Sequence, residues 1–405
     1  MLLHAALKVR RGDDLILLAP IQYTEFAEHV SRTALEAGCG KVEIFYENQP
    51  EEYEHYASGR QDKYIWIQEE DFSGIESAIQ NGTLLLVLRC DYFGLFEKLN
   101  PEQKQLRDIH HRMDFYRIFQ HIQANKVIYC LGALPNAMWA NKVYPDLPED
   151  EAVALLWQSM ARAIYLDDGD PVGRWTERAR ELTSRRDDLN RWHFDSIEIR
   201  QQQGVLTLEL PRRHLWEGGL LTSPGGRRYI PNIPTEEVFT TPSNNGVQGR
   251  LDVHKRIYFS GGVTRSYSLS FVDGLLADAT SPDEQFADRL TRHLDRFDNG
   301  RRLGELALVS DDAGVKQQDM LFYDMVYDEN ASCHLAFGSS YRNTIQGGEQ
   351  MDDSRFTEEG GNICQTHMDF MMDSENMEIL GVKDGKRTPI IDHGRWVAYN
   401  MVHEE

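Results

Sequence analysis

A histidine and an aspartate two positions apart, His367 and Asp369, form a pattern that can bind a metal ion. On a β-strand, residues i and i+2 point to the same face, so this pair presents an imidazole nitrogen and a carboxylate to one ion. Glu329 and His334 form a second pattern, in which small polar residues separate a glutamate from a histidine. Taken alone, that second segment is interpreted more simply as a turn with a solvated glutamate and a packed histidine.

A third candidate ligand, Glu305, lies in a segment with the pattern of a buried strand. Residues 304–309 alternate so that Leu306 and Leu308 share one strand face, while Glu305 shares the other face with small apolar neighbours. A carboxylate buried without a partner is strongly unfavourable, so Glu305 needs a cation beside it. That cation is a metal ion or, alternatively, the guanidinium of Arg301 or Arg302.

Two adjacent glutamates, Glu236 and Glu237, provide the fourth pattern. The Pro-Thr-Glu-Glu sequence at 234–237 could begin a helix, but the β-branched and aromatic residues at 238–242 favour a strand or a loop. The four segments together supply four carboxylates and two imidazoles as candidate ligands: Glu237, Glu305, Glu329, His334, His367 and Asp369.

This set of ligand types indicates a hydrolytic site with two divalent cations. Four carboxylates and two neutral imidazoles balance the charge of two such ions, and hydrolytic two-metal sites need bridging carboxylates between ions about 3.5–4 Å apart. Mixed oxygen and nitrogen ligation suits Zn, Co, Mn or Mg. The lack of cysteine among the candidates disfavours a purely structural zinc site.

The first part of the chain has the alternating pattern of a parallel sheet covered by helices. Short apolar runs predict strands, and amphipathic stretches between them predict helices. The predicted strands are 15–20, 41–46, 84–88 and 127–130, and the predicted helices are 23–37, 101–122 and 149–166.

The pattern changes at about residue 185, within a charged helix that is predicted over 177–191 and links the two regions. Gly/Pro/Asn-rich turns there separate the predicted strands 205–210, 256–260 and 265–271, which favours antiparallel structure. Ser281 as N-cap, with Pro282 after it, predicts a helix that ends near residue 297. We therefore expect an α/β protein with an N-terminal, mostly parallel domain over 1–184 and a largely antiparallel α+β catalytic domain over 185–405.

Composition excludes several other classes of protein. The net charge of −22 argues against nucleic-acid partners, because phosphates need a basic surface. The sequence lacks the glycine-rich motifs of nucleotide-binding enzymes. Five cysteines with no C-x-x-C pair fit a reducing cytosol. Neither a signal peptide nor an apolar run long enough to span a membrane is expected.

The segments with the candidate ligands resemble the aminopeptidase T / aminopeptidase S (PepS) family of metallo-aminopeptidases in order and spacing. Two segments of the N-terminal region, 9–13 and 34–38, resemble it more loosely, so that the resemblance extends over nearly the whole chain. The matching segments are 232–242, 304–309, 328–338, Tyr341 with Gly347-Gly348, and 367–370.

The resemblance implies a role for each candidate ligand: Glu237 and His367 bind the first ion, Glu329 and His334 bind the second, and Glu305 and Asp369 contact both. It also implies that Tyr341 is an active-site tyrosine, which could donate a hydrogen bond to a developing oxyanion. By analogy with other two-metal peptidases, Glu236 is a candidate general base.

The function implied is removal of the N-terminal residue from peptides with a free N-terminus, by a cytoplasmic homodimer with two divalent ions. Two alternatives stay open: another two-metal dipeptidase or amidohydrolase, and a catalytically silent scaffold relative. The acidic region 343–362 and the Met-Met-Asp sequence at 371–373 depart from the family pattern and leave the substrate preference open.

Overall fold

The structure is a computed structural model that describes residues 1–123, 125–259 and 262–397. The chain divides into two compact units, of which the first comprises Met1–Thr176 and Leu220–Ile233, and the second Glu177–Gly219 and Pro234–Glu405. Within the described ranges, no helix is both long enough and apolar enough to cross a membrane.

A four-stranded parallel sheet forms the centre of the first unit. Its strands are β1 Asp14–Pro20, β2 Lys41–Glu47, β3 Leu84–Arg89 and β4 Tyr129–Ala133, in the spatial order β2-β1-β3-β4. Every residue of β1 after Asp14 is buried, as is typical of parallel strands that are covered on both faces and are therefore apolar throughout. The predicted parallel sheet is confirmed, although β4 begins at Tyr129 instead of residue 127.

Helices separate these strands and continue after them: α1 Thr24–Glu36, α2 Gln49–Ala57, α3 Glu69–Gln80, α4 Pro101–Gln123, α5 Ala137–Val143, α6 Glu149–Ala163 and α7 Pro171–Trp192. In α3, Phe72, Ile75 and Ile79 recur at helical spacing and pack with Ile16 and Leu85 of the sheet. The predicted helices correspond to α1, α4, α6 and the C-terminal part of α7. The helices α2 and α3 lie outside those predictions.

The remaining elements in chain order are β5 Ser196–Gln201, β6 Gly204–Glu209, β7 Glu217–Gly218, β8 Leu221–Thr222, β9 Arg228–Tyr229, β10 Glu237–Thr240, β11 Val247–Val253, β12 Ile257–Phe259, β13 Gly262–Thr264, β14 Tyr267–Val272, β15 Leu275–Thr280, α8 Glu284–Leu294, β16 Leu303–Val309, α9 Met325–Glu329, β17 His334–Gly338, α10 Asp353–Glu358, β18 His367–Met371, β19 Glu378–Lys383, β20 Lys386–Asp392 and β21 Arg395–Trp396. The strands β8 and β9 pair with each other within the first unit.

Two antiparallel sheets form the second unit. One has eight strands in the order β15-β14-β11-β6-β5-β19-β20-β21, and the other has five in the order β18-β17-β16-β10-β7. The predicted largely antiparallel structure of this region is confirmed, and β6, β12 and β14 match the predicted strands. Residue 260, at the end of one predicted strand, lies outside the described residues.

The predicted N-cap of α8 is wrong. Asp283, not Ser281, caps this helix by accepting a hydrogen bond from the backbone N–H of Gln285 at 3.1 Å. The Ser281 hydroxyl donates instead to the backbone oxygen of Ser266 at 2.7 Å, which ties the chain before the helix to the turn before β14. A competing hydrogen bond outside the helix therefore displaced the cap by two residues.

One face of the five-stranded sheet packs into the hydrophobic core of the second unit. Alternate residues of its strands are buried there together with residues of the eight-stranded sheet and with Phe286, Leu290 and Leu294 of α8. On the five-stranded sheet the core residues that alternate along the strands include Val238, Leu306, Leu308, Leu335, Phe337, Met368 and Phe370. Because side chains alternate along a strand, the residues between them point to the opposite face.

Candidate metal centre

That opposite face of the five-stranded sheet carries five of the six candidate ligands. Residues directly opposite each other on neighbouring strands share a face. Ala336 of β17 lies between Glu305 of β16 and Asp369 of β18 in a single row across the sheet. Ala307, His334 and Met371 form the next row, and the pairs Val309–Glu237 and Gly338–His367 extend the same face.

The ligand atoms of these residues form two groups that share Glu305. Within each group the potential ligand atoms lie within 4.8 Å of one another, and the groups are Glu237, Glu305, His334 and Glu305, His367, Asp369. His367 Nε2 is 2.9 Å from Glu305 Oε2 and 3.5 Å from Asp369 Oδ1. His334 Nε2 is 3.2 Å from Glu237 Oε2 and 4.0 Å from Asp369 Oδ1.

Small residues leave space between the ligands. Ala336 places only a methyl group between the strands of Glu305 and Asp369, and Gly338 follows two positions later on the same face. Gly338 has φ +100°, and a Cβ there would be 2.0 Å from the backbone oxygen of Thr366. Glycine is therefore required at this position, because both the backbone conformation and the contact exclude other residues.

Backbone carbonyls fix the orientation of both imidazoles. His367 Nδ1 donates to the backbone oxygen of Ser339 at 2.8 Å, and His334 Nδ1 donates to that of Ser332 at 3.2 Å. This arrangement directs Nε2 of each ring to the carboxylates, and such second contacts are typical of metal-binding histidines. Nε2 of each histidine is therefore the nitrogen that is available to bind a cation.

The electrostatics of the group call for positive charge. Burial lowers the pKa of His334, but the hydrogen bond and charge of Glu237 raise it to about 10. Burial likewise lowers the pKa of His367, but the charge of Asp369 and its hydrogen bond raise that pKa well above its usual range. Burial raises the pKa of Glu305, which is only 3% exposed.

The close ion-pair contacts of Glu237, Glu305 and Asp369 are to histidines. Among the described residues, no lysine or arginine nitrogen lies within 4.0 Å of these three carboxylates or of Glu329. In addition, Glu237 Oε2 is buried, and its close polar contact is His334 Nε2 at 3.2 Å. Buried anionic atoms with so few donors are costly unless a cation compensates them, so the residues present fit divalent metal ions.

Arg301 and Arg302, the alternative partners of Glu305, bind elsewhere. Arg301 donates to Asp295 at 2.5 and 2.7 Å. Arg302 donates to the backbone oxygen of Asn244 at 2.5 Å. An ion pair with Arg301 or Arg302 therefore does not account for the buried carboxylate of Glu305.

Glu329 and Tyr341 belong to neither of the two ligand groups. Burial, followed by the charges of Asp369 and Glu237, raises the pKa of Glu329 well above its usual range. Its carboxylate accepts a hydrogen bond from the Asn330 amide at 3.4 Å. The Tyr341 ring lies 5.0 Å from the ring of His367 and 5.4 Å from that of Phe239.

Glu236 points away from the ligand groups. Its side chain is fully buried, with Oε2 accepting from Arg178 Nε at 2.5 Å and Oε1 from the backbone N–H of Gly314 at 3.0 Å. The role of Glu236 as a general base stays a prediction, and these contacts indicate an ion pair instead.

Sequence reasoning missed Arg178, which contacts Glu236, and Asn330, which contacts the candidate ligand Glu329. Asn330 directly follows a candidate ligand and is fully buried, so its position in the matching segment was the available signal. Arg178 lies 58 residues before Glu236, and nothing in its local sequence marks it.

Known proteins similar to this chain share the whole of its length. The chain is 30% identical to aminopeptidase AmpS from Bacillus subtilis, over 97% of this chain and 96% of that protein. It is 31% identical to aminopeptidase 2 from Geobacillus stearothermophilus, over 96% and 94% respectively. The solved structure of wild-type AmpT from Thermus thermophilus superimposes with a TM-score of 0.87 at 29% identity, and covers 98% of this chain and 97% of that one.

Fold, ligand set and relatives together define the class: the chain is a metalloprotease. The sequence model of the thermophilic metalloprotease (M29) family matches residues 1–396, and the chain belongs to that family. The resemblance to the aminopeptidase T and PepS proteins is thereby confirmed.

Proposed function

We propose that this chain is an aminopeptidase that removes the N-terminal residue from peptides by means of two divalent metal ions. One observation carries the proposal: two groups of potential ligands share Glu305 on one sheet face and have no Lys or Arg within 4.0 Å among the described residues. The names of the relatives, which are aminopeptidases, support the choice of substrate.

The distances support a particular division of the ligands. Glu237 and His334 form one group with Glu305, and His367 and Asp369 form the other. We assign one ion to each group, with Glu305 between them. The resemblance implied that Glu237 shares an ion with His367, whereas its 3.2 Å contact with His334 supports the assignment made here.

We place Glu329 and Tyr341 on either side of these groups. Glu329 would bind the ion on the His334 side, as the resemblance implies, with its carboxylate held by the Asn330 amide. Tyr341 stands beside the His367 ring. Its phenol can donate a hydrogen bond to the oxygen of the scissile carbonyl as negative charge develops there.

When bound, divalent ions polarise the scissile carbonyl and lower the pKa of a water molecule toward neutrality. The protein's contribution is to hold the ligands rigidly. The carbonyls of Ser332 and Ser339 orient His334 and His367, and the sheet aligns Glu305 and Asp369.

Metal content and cleavage of matched substrates test the proposal. Purified chain dialysed against Zn²⁺, Co²⁺, Mn²⁺ or Mg²⁺ should retain about two ions per chain, as measured by plasma mass spectrometry. A peptide with a free N-terminus should be cleaved, and its N-acetylated twin should not. Equal cleavage of both peptides favours the alternative of a general amidohydrolase, whereas bound metal without any cleavage favours a silent relative.

Location, assembly and domain roles are part of the same proposal. Five free cysteines fit a reducing compartment and therefore a cytoplasmic location. We propose a homodimer and a catalytic domain over residues 185–405, as the family resemblance implies. Light scattering on a size-exclusion column would contradict the dimer by giving the mass of a single chain, 46.7 kDa.

A further inference from the structure

Glu236 belongs to a buried network that connects several segments of the second unit. Arg178 on α7 and Glu236 are both 0% exposed. Arg178 Nε donates to Glu236 Oε2 at 2.5 Å, and its terminal nitrogens donate to Glu181 at 2.8 Å and to Asp312 at 2.9 Å. Gly314, in the segment that follows β16, donates to the second oxygen of Glu236 at 3.0 Å.

Asn330 joins the same network to two candidate ligands. Its side-chain oxygen accepts the backbone N–H of Glu236 at 2.5 Å, directly before Glu237. Its amide nitrogen donates to the backbone oxygen of Val326 at 2.7 Å and to the carboxylate of Glu329 at 3.4 Å. Asn330 is 0% exposed, so these bonds are shielded from water.

The network of Arg178, Glu236 and Asn330 connects the three segments that carry Glu237, Glu305 and Glu329. Glu237 follows Glu236 at the start of β10, Glu329 precedes Asn330 at the end of α9, and Glu305 lies on β16. The segment that follows β16 is attached to Glu236 through Gly314. A proton shuttle needs a carboxylate that reaches the reacting water, whereas both oxygens of Glu236 already accept hydrogen bonds from groups outside the ligand groups.

We propose that Glu236, Arg178 and Asn330 form a positioning unit that sets the geometry and affinity of the metal centre, and that Glu236 takes no part in proton transfer. The proposal rests on the proposed two-metal function. It assigns to these residues the hydrogen bonds that hold the backbone before Glu237 and, through Asn330, the Glu329 carboxylate. Loss of hydrogen bonds that support metal ligands typically weakens metal binding about 10–100-fold.

Cobalt binding separates the positioning role from the general-base role. In Glu236→Gln, we expect Co²⁺ affinity to fall about 10–100-fold, the visible absorption spectrum of bound Co²⁺ to change, and kcat in saturating Co²⁺ to stay within about tenfold of the unsubstituted chain. A general base requires the opposite result: unchanged Co²⁺ affinity with kcat reduced roughly 10²–10⁴-fold. Unchanged affinity and spectrum, or a kcat that excess Co²⁺ does not restore, would overturn the proposal.

Two further variants protect the test against misfolding and against a general loss of stability. The double variant Arg178→Met with Glu236→Gln leaves neither charge of the pair buried alone, and we expect the same loss of Co²⁺ affinity. The matched control is Glu198→Gln, since Glu198 is also buried and accepts from Arg200 and Arg387 at 2.8 Å on the eight-stranded sheet. Equal weakening of Co²⁺ binding in the control would contradict a local role.

The unsubstituted chain distinguishes this inference from the function on which it rests. If that chain binds no Co²⁺ and cleaves no peptide, the proposed function fails. If it binds Co²⁺ and cleaves peptides while the Glu236 variants bind Co²⁺ equally well, only the positioning role fails.

Discussion

Each unit of this protein contains a close group of glutamate and histidine side chains, and the two groups obtain their positive charge differently. In the first unit, Glu47, Glu52 and His111 have ligand atoms within 4.8 Å of one another. Arg107 donates to Glu52 at 2.9 Å and to His111 Nδ1 at 3.2 Å, with its guanidinium 3.8 Å from the centre of the Phe96 ring. This group therefore contains its own cation.

The histidines report the difference between the two groups. Burial, followed by the charge of Arg107, lowers the pKa of His111 to about 4. The carboxylates of the second unit raise that of His334 to about 10. Residues of the same types thus form a self-neutralised ion-pair network in one unit and a site that needs an external cation in the other. Residue types alone do not define a metal site, because a single arginine changes what they can bind.

The largest effect is expected from Glu305→Gln, which removes the carboxylate shared by both ligand groups. We expect kcat/KM to fall more than about 10³-fold, because both ions lose a ligand, while the fold is kept. Peptide cleavage and circular dichroism measure the two effects. Glu378→Gln, at an exposed position of β19, is the control. Normal activity of Glu305→Gln in metal-replete buffer would refute the bridging role.

Metal removal should destabilise the chain through the second unit only. An ion present at 100 times its Kd stabilises the folded state by about 2.7 kcal/mol. Chelation should therefore lower the Tm of the unsubstituted chain and leave that of Glu305→Gln almost unchanged. A Tm that is equally sensitive to chelator in both proteins would place the stabilising ion elsewhere.

Arg107→Met tests whether the first group depends on its internal cation. Removal of one partner from a buried ion pair leaves an uncompensated charge and costs about 3 kcal/mol. We expect a lower urea midpoint with unchanged peptide cleavage in saturating metal. Arg112→Met, at an exposed position of the same helix, should have little effect. A loss of cleavage activity in Arg107→Met would show that the two groups are not independent.

The smallest effect concerns Glu47, whose pKa is raised to about 7 by burial and by the charges of Asp91 and Glu52. The folded state then holds a proton that the unfolded state releases above its ordinary pKa of about 4.3. Stability therefore falls as pH rises from about 4.3 through 7. Glu47→Gln should therefore be more stable than the unsubstituted chain at pH 8 and equally stable at pH 4.5.

Urea unfolding at the two pH values measures this gain. Glu43→Gln on the same strand, where Lys41 lies 2.7 Å from the carboxylate, is the control. An equal gain in Glu43→Gln, or a gain that is independent of pH, would contradict the explanation by burial.

The elements that carry the ligands were predictable because their signals are local. His367 and Asp369 follow the two-residue repeat of a strand, and Glu305 stands in an alternating apolar run. The parallel sheet followed from continuous apolar runs such as 84–88. In each case, residues that are close in sequence show the alternation or the apolar run that predicts the strand.

Other features depend on contacts that local sequence does not encode. The helix α2 buries Gln49, Glu52 and Tyr56, and because two of these residues are polar, its sequence lacks the apolar spacing that predicts a helix. The pair of Arg178 and Glu236 joins positions 58 residues apart. Glutamates in a row look alike in sequence, and only tertiary structure shows that Glu237 faces the ligand groups while Glu236 faces an arginine.

The row formed by Glu305, Ala336 and Asp369 has a consequence for the choice of metal. Adjacent strands lie about 4.8 Å apart. The hydrogen-bonded sheet therefore holds Glu305 and Asp369, on the two strands that flank β17, two such spacings apart. If divalent cations of different radius bound here, rotation of the Glu305 and Asp369 side chains would adjust their oxygens to each one while the backbone stayed in place. We therefore expect several divalent metals to support peptide cleavage by this chain.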